Sequence, residues 1–103
     1  MSTEDTLLAV AMNLTRMGNW AADDYRAKQK LIITFMEQTS SDVATLRSGT
    51  FGERFGKTFA MFDREFRALE TEARDIPINT NVWAEKMMTW GNILTHRAKL
   101  LRD

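Results

Sequence analysis

Seven residues between positions 51 and 73 constrain this chain more than any others. Phe51, Phe55, Phe59, Phe62, Phe66, Leu69 and Ala73 recur at intervals of 4, 4, 3, 4, 3 and 4. An α-helix completes a turn every 3.6 residues, so this spacing lays all seven along one face. Only further helices or a sheet can cover such a face, and the rest of the chain reads as helical. One proline and five glycines in 103 residues leave few places to interrupt a helix.

Three other segments carry helical periodicity. Ser2 can cap a first helix, with Asp5 three residues on in a variant of the capping box. Leu7, Ala11, Leu14 and Gly18 then share a face, with Leu8 and Met12 beside them. Gly18-Asn19 reads as a stop and restart, with Asn19 capping a second helix whose first turns hold Asp23 and Asp24. On that helix Lys28, Leu31, Ile32, Phe35, Met36, Thr39, Val43 and Leu46 trace one side. Thr39-Ser40-Ser41-Asp42 is a weak point, because these side chains compete for backbone hydrogen bonds. Gly49 marks the end. The phenylalanine helix comes third and stops before Ile76-Pro77, since a proline disfavours helical geometry in the residue before it. Asn79-Thr80-Asn81 offers caps for a fourth helix, striped by Trp83, Met87, Trp90, Leu94, Ala98 and Leu101. Its last turns hold His96, Arg97, Lys99 and Arg102, which suits the negative end of the helix dipole.

The expected fold is all-α: an up-and-down bundle of about four helices in a single domain spanning 1–103. The first two lengths do not match, about 15 residues (~22 Å) against up to about 29 (~43 Å). Either the second helix breaks near Ser40 or its overhang pairs with a second copy.

Composition narrows the function. Basic and acidic residues number 14 each, so net charge gives no reason to expect nucleic acid or an anionic membrane. No cysteine is present, which excludes disulfides, thiolate zinc sites and cysteine nucleophiles and is compatible with the cytoplasm. The chain starts Met1-Ser2-Thr3-Glu4-Asp5, acidic where a signal peptide would be basic, and no apolar run approaches a membrane span. The sequon Asn13-Leu14-Thr15 carries no weight without secretion.

The stretch Gly52-Glu53-Arg54-Phe55-Gly56-Lys57-Thr58 resembles a phosphate-binding loop and fails the test. The loop needs G-x-x-x-x-G-K-[ST] after a strand. Position 51, where its first glycine belongs, is Phe51, and no strand pattern precedes it. Glu53 and Lys57 instead form an i,i+4 ion pair, and Gly52, Gly56 and Ala60 form a small-residue ridge beside the aromatic one. Glycine inside a helix costs about 1 kcal/mol relative to alanine, so the ridge needs a reason. Close approach of another helix is the favoured one, ahead of a frayed helix start or a flat ligand.

No catalytic constellation emerges. A di-iron bundle needs Glu-x-x-His twice, yet His96 is the single histidine and Ile93 stands three before it. A serine–histidine–acid triad meets the same obstacle, because His96 lies about 140° round its helix from Trp83, on the polar side. Asp63/Arg67 and Glu70/Arg74 are spaced as solvated i,i+4 pairs. The expectation is therefore a non-enzymatic, cofactor-free, cytoplasmic interaction or regulatory module. It works by self-association, as a homodimer, and by binding another protein, not nucleic acid or membrane. Gly52, Gly56, Ala60, Trp83 and Trp90 are the interaction residues. The alternative is a bundle carrying a hydrophobic or planar, tetrapyrrole-like ligand between Trp83, Trp90, Phe59 and Phe62.

Overall fold

Asp24 decides the shape of the molecule. In the computed structural model, which describes residues 2–102, α1 runs Thr3–Arg47, α2 runs Glu53–Ala73 and α3 runs Thr80–Arg97. A 3₁₀ turn, Ala98–Arg102, extends α3. Met1, Asp103 and the side chain of Arg102 lie outside the described residues, which contain no strand. The helices number three, not about four, because the two expected before Gly49 are one element. Gly18-Asn19 is no boundary, and the helix passes through both. The break falls at Asp24, whose φ of −162° and ψ of 96° are extended, not helical. Its Oδ1 accepts the Ala27 N–H at 3.2 Å, as an N-cap does for a new helix. A straight helix of 45 residues would be ~67 Å long, yet the longest dimension of the molecule is 41 Å. The rings of Trp20 and Phe35, on either side of Asp24, meet edge-to-face at 5.0 Å. Thus α1 folds back into two arms, 3–23 and 25–47, of nearly equal length. The overhang expected of a long second helix does not exist.

Side-chain contacts fix the packing order. Ser40 donates a hydrogen bond to the Glu70 carboxylate, and Arg47 bonds Asp63 at 2.7 Å, so the second arm runs antiparallel to α2. Trp83 Nε1 donates to the Leu69 carbonyl at 3.0 Å and Arg97 donates to Thr58 Oγ1 at 3.3 Å, so α2 runs antiparallel to α3. The first arm lies antiparallel to α3. Gly18 faces Ala84 and Met88, while Gly91 faces Ala11 and Thr15. Each helical segment thus reverses the one before it, closing a helical bundle.

The core is the set of faces the periodicity picks out. Leu7, Val10, Leu14 and Met17 meet Ile32, Val43 and the phenylalanine stripe, with Trp83, Met87 and Leu94 from α3. Phe51 lies before α2 but continues the stripe, meeting Phe55 edge-to-face at 5.0 Å and Phe59 at a tilt at 5.2 Å. The helix is continuous through Ser40. Thr39, fully buried, donates to the Phe35 carbonyl at 2.6 Å, and Thr45 bonds one turn back to Ser41 at 3.3 Å. These hydroxyls bond within the helix instead of competing with it. Caps appear where the sequence places them: Ser2 Oγ accepts from the Asp5 N–H at 3.0 Å and Asn79 Oδ1 from the Val82 N–H at 3.1 Å.

Candidate functional site

The five interaction residues read from the sequence do not form one site. Trp83 is 1% exposed and packs edge-to-face on Tyr25 at 5.5 Å, so it belongs to the core. Gly52 is the uncapped N-cap of α2. A Cβ built at Gly52 or at Gly56 would meet nothing within 4 Å, so among the described residues no neighbouring helix approaches these two glycines. At 100° per residue the ridge lies on the flank of α2 opposite Arg54, Lys57, Thr58 and Met61. Trp90 is half-buried and sits across from those four residues, with its ring 5.5 Å from Phe62.

The close helix approach exists, but elsewhere. A Cβ at Gly18 would lie 3.0 Å from the Ala84 carbonyl oxygen, and one at Gly91 would lie 3.0 Å from that of Ala11. Each helix contributes an alanine and a glycine seven residues apart, Ala11/Gly18 and Ala84/Gly91. Seven residues are two turns, so each pair shares a face. That matched spacing is the signal in the sequence for the close approach, and a helix stop at Gly18 is incompatible with it.

Gly52–Thr58 forms the N-cap and first turns of α2, with the Gly56 N–H donating to the Gly52 carbonyl at 2.8 Å. Lys57 pairs with Glu53 at 3.7 Å, both largely exposed. Asp63 holds Arg67 at 3.4 Å as well as Arg47, whereas Glu70 accepts from Ser40. Of the four rings expected to wall a ligand, Phe62 lies 6.0 Å from Phe59 and 5.5 Å from Trp90, while Trp83 packs on Tyr25.

A groove of about 690 Å³ lies between α2 and the end of α3. One wall carries Arg54, Lys57, Thr58 and Met61, spaced 3, 1 and 3. The other carries Trp90, Ile93, Arg97 and Leu100, spaced 3, 4 and 3, with His96 and Lys99 beside them. Met61 is 60% exposed, and Trp90, Ile93 and Leu100 are half-buried, so the fold leaves an apolar floor uncovered. Every ionisable side chain lining the groove is basic. The hydrogen bond from Arg97 to Thr58 ties the two walls together.

Carboxylates lie outside the groove: Glu65 and Glu85 line a smaller concavity that shares Trp90, and at the far end Asp23 and Asp24 flank the kink beside Arg26, with Glu72 and Asp75 acting on Tyr25. There Tyr25, 3% exposed, donates to the Ala73 carbonyl at 3.2 Å, satisfying a backbone group left open at the end of α2. Burial, then the charges of Asp75 and Glu72, push the phenol above its usual value of 10.0.

Among the described residues no group of three or more histidine, aspartate or glutamate side chains could hold a metal ion. No described helix is long and apolar enough to cross a membrane. Compared with known protein families, with curated proteins and with solved structures, the chain matches none of them.

Proposed function

We propose that this chain is a non-catalytic protein-interaction module whose working surface is the groove between α2 and α3. One observation carries the reading. Met61, Trp90, Ile93 and Leu100 form an apolar strip that the bundle does not fully cover, flanked by Arg54, Lys57, Arg97 and Lys99. Aromatic, methionine and arginine side chains are the types enriched at protein interfaces. A cysteine-free chain needs no oxidising compartment, and the reading puts the module in the cytoplasm.

Self-association belongs to the same reading and uses the opposite flank of α2. Gly52, Gly56 and Ala60 would meet a second copy to form the homodimer, because no neighbouring element among the described residues approaches the two glycines. Native mass spectrometry of the protein purified from its host reads this directly. Two bare chains are expected, with Gly56→Leu monomeric and still folded, since its side chain enters open space. A dimer unaffected by Gly56→Leu would remove the ridge from the interface.

The groove itself is tested by placing a photo-crosslinking residue at position 93 and, as control, at exposed position 30. Discrete protein adducts from 93 alone are expected. Equal labelling from both positions would defeat the reading.

A second reading has one observation in its favour. The groove's volume lies within the range of small-molecule sites, and the Trp90 ring forms part of its lining. A hydrophobic or planar ligand there would add a few hundred daltons per chain, lost on denaturation.

A further inference from the structure

We infer that the occupant of the α2–α3 groove is an acidic amphipathic helix of another protein. This rests on the groove being a protein-docking surface, and adds what docks there.

Length comes first. The α2 wall spans residues 54–61 and the α3 wall 90–100, or ~10 Å and ~15 Å at 1.5 Å per residue. That is two to three helical turns, the length over which helix-in-groove recognition reads apolar anchors at i, i+3 or i+4, and i+7. The floor offers matching apolar positions, with Met61 from one wall and Trp90, Ile93 and Leu100 from the other. Methionine adapts to what it meets, and tryptophan is among the residues enriched at the energetic centres of interfaces.

Charge then selects among helices. Arg54 and Lys57 stand on one side of the floor, Arg97 and Lys99 on the other, and no carboxylate lines the groove between them. An occupant carrying glutamates or aspartates beside its apolar stripe meets these cations at both edges. A basic one is repelled at both.

The same rim argues against a second copy. Two-fold docking through this groove would bring Arg54, Lys57, Arg97 and Lys99 of one chain against the same four of the other. Of the apolar residues lining the groove only Met61 is openly exposed, and one such side chain is a poor membrane anchor.

Fluorescence anisotropy with three synthetic helical peptides tests the inference. They share one i, i+3, i+7 apolar stripe and carry glutamate, glutamine or lysine elsewhere. The glutamate peptide is expected to bind at least about tenfold more tightly than the glutamine peptide, and the lysine peptide not measurably. Raising salt from ~50 to ~500 mM is expected to shrink the gap. Lys57→Glu/Lys99→Glu, at two exposed positions, should abolish the preference with the circular dichroism unchanged. Equal binding of all three peptides, weakened by Met61→Glu, would overturn the acidic occupant and leave the docking groove standing. No binding of the glutamate peptide up to ~1 mM overturns the inference, and crosslinking at position 93 then decides the groove separately. Concentration-dependent self-association abolished by Met61→Glu would overturn it in favour of a second copy.

Discussion

A single methyl group distinguishes the glycines of this chain. At Gly18 and Gly91 a Cβ would press on carbonyl oxygens of the facing helix, whereas at Gly56 it meets nothing. Gly18→Ala and Gly91→Ala are each expected to cost about 1–3 kcal/mol through overpacking. Gly56→Ala is expected to add about 0.5–1 kcal/mol by improving helix propensity. Urea unfolding of the three variants measures both signs, and a Gly18→Ala protein as stable as the wild type would contradict the close approach. The sequence shows that certain glycines sit inside helices, but spacing alone does not say which of them face a neighbour. Tyr25 carries a second prediction. Its phenol is held neutral by burial and by Asp75 and Glu72. Above pH ~10 the unfolded chain therefore loses this proton while the folded chain keeps it. Stability should be flat in this group below pH ~10 and fall from there up to the raised folded value. This is the chain's single tyrosine, so an ultraviolet titration reports it alone. A midpoint above 10 is expected when folded and near 10 in denaturant. Tyr25→Phe should cost about 1 kcal/mol, leaving the Ala73 carbonyl without its donor, and flatten the alkaline decline.

Elements that end on side-chain caps were readable, and the one that folds back was misplaced. Ser2 and Asn79 cap as expected because each precedes a periodic run and has a free backbone N–H three residues on. Asp23 and Asp24 looked like first-turn acids, yet Asp24 is itself the cap. Local sequence could not separate these readings, since aspartate serves both positions. What decides is tertiary. Gly18 is needed inside the helix to let α3 approach, so the turn falls six residues later. Asp24→Ala removes the cap and is expected to cost about 1 kcal/mol, against near zero for Asp23→Ala. Thermal unfolding followed by circular dichroism compares the two, and equal costs would mean that the carboxylate at 24 has no capping role.

Across the whole molecule, the averages mislead where the positions inform. A net charge of zero gives no reason to expect a charged partner, yet the groove is lined by five basic side chains and no acidic one. Charge sorting of this kind needs the packing order of the helices, because even the nearest residues of the two walls, Met61 and Trp90, lie 29 positions apart in sequence. The aromatic core, by contrast, was legible almost residue by residue, since burial of a stripe follows from its own period. Trp90 marks the limit: its place on the α3 stripe is correct, but only the packing against Phe62 leaves part of it open to the groove.

The joint at Asp24 also governs how the chain can be cut. A protease draws several extended residues into its cleft, and loops supply them. At Asp24 one residue leaves helical geometry, flanked by helix on both sides, whereas 48–52 and 74–79 are true connections and Ile78 is fully exposed. Brief digestion with a broad-specificity protease is expected to nick those two connections and leave residues 3–47 as one fragment. Early cleavage beside Asp24 would mean that the two arms part in solution. Intact, they form the longest stretch of this protein with no easy place to cut.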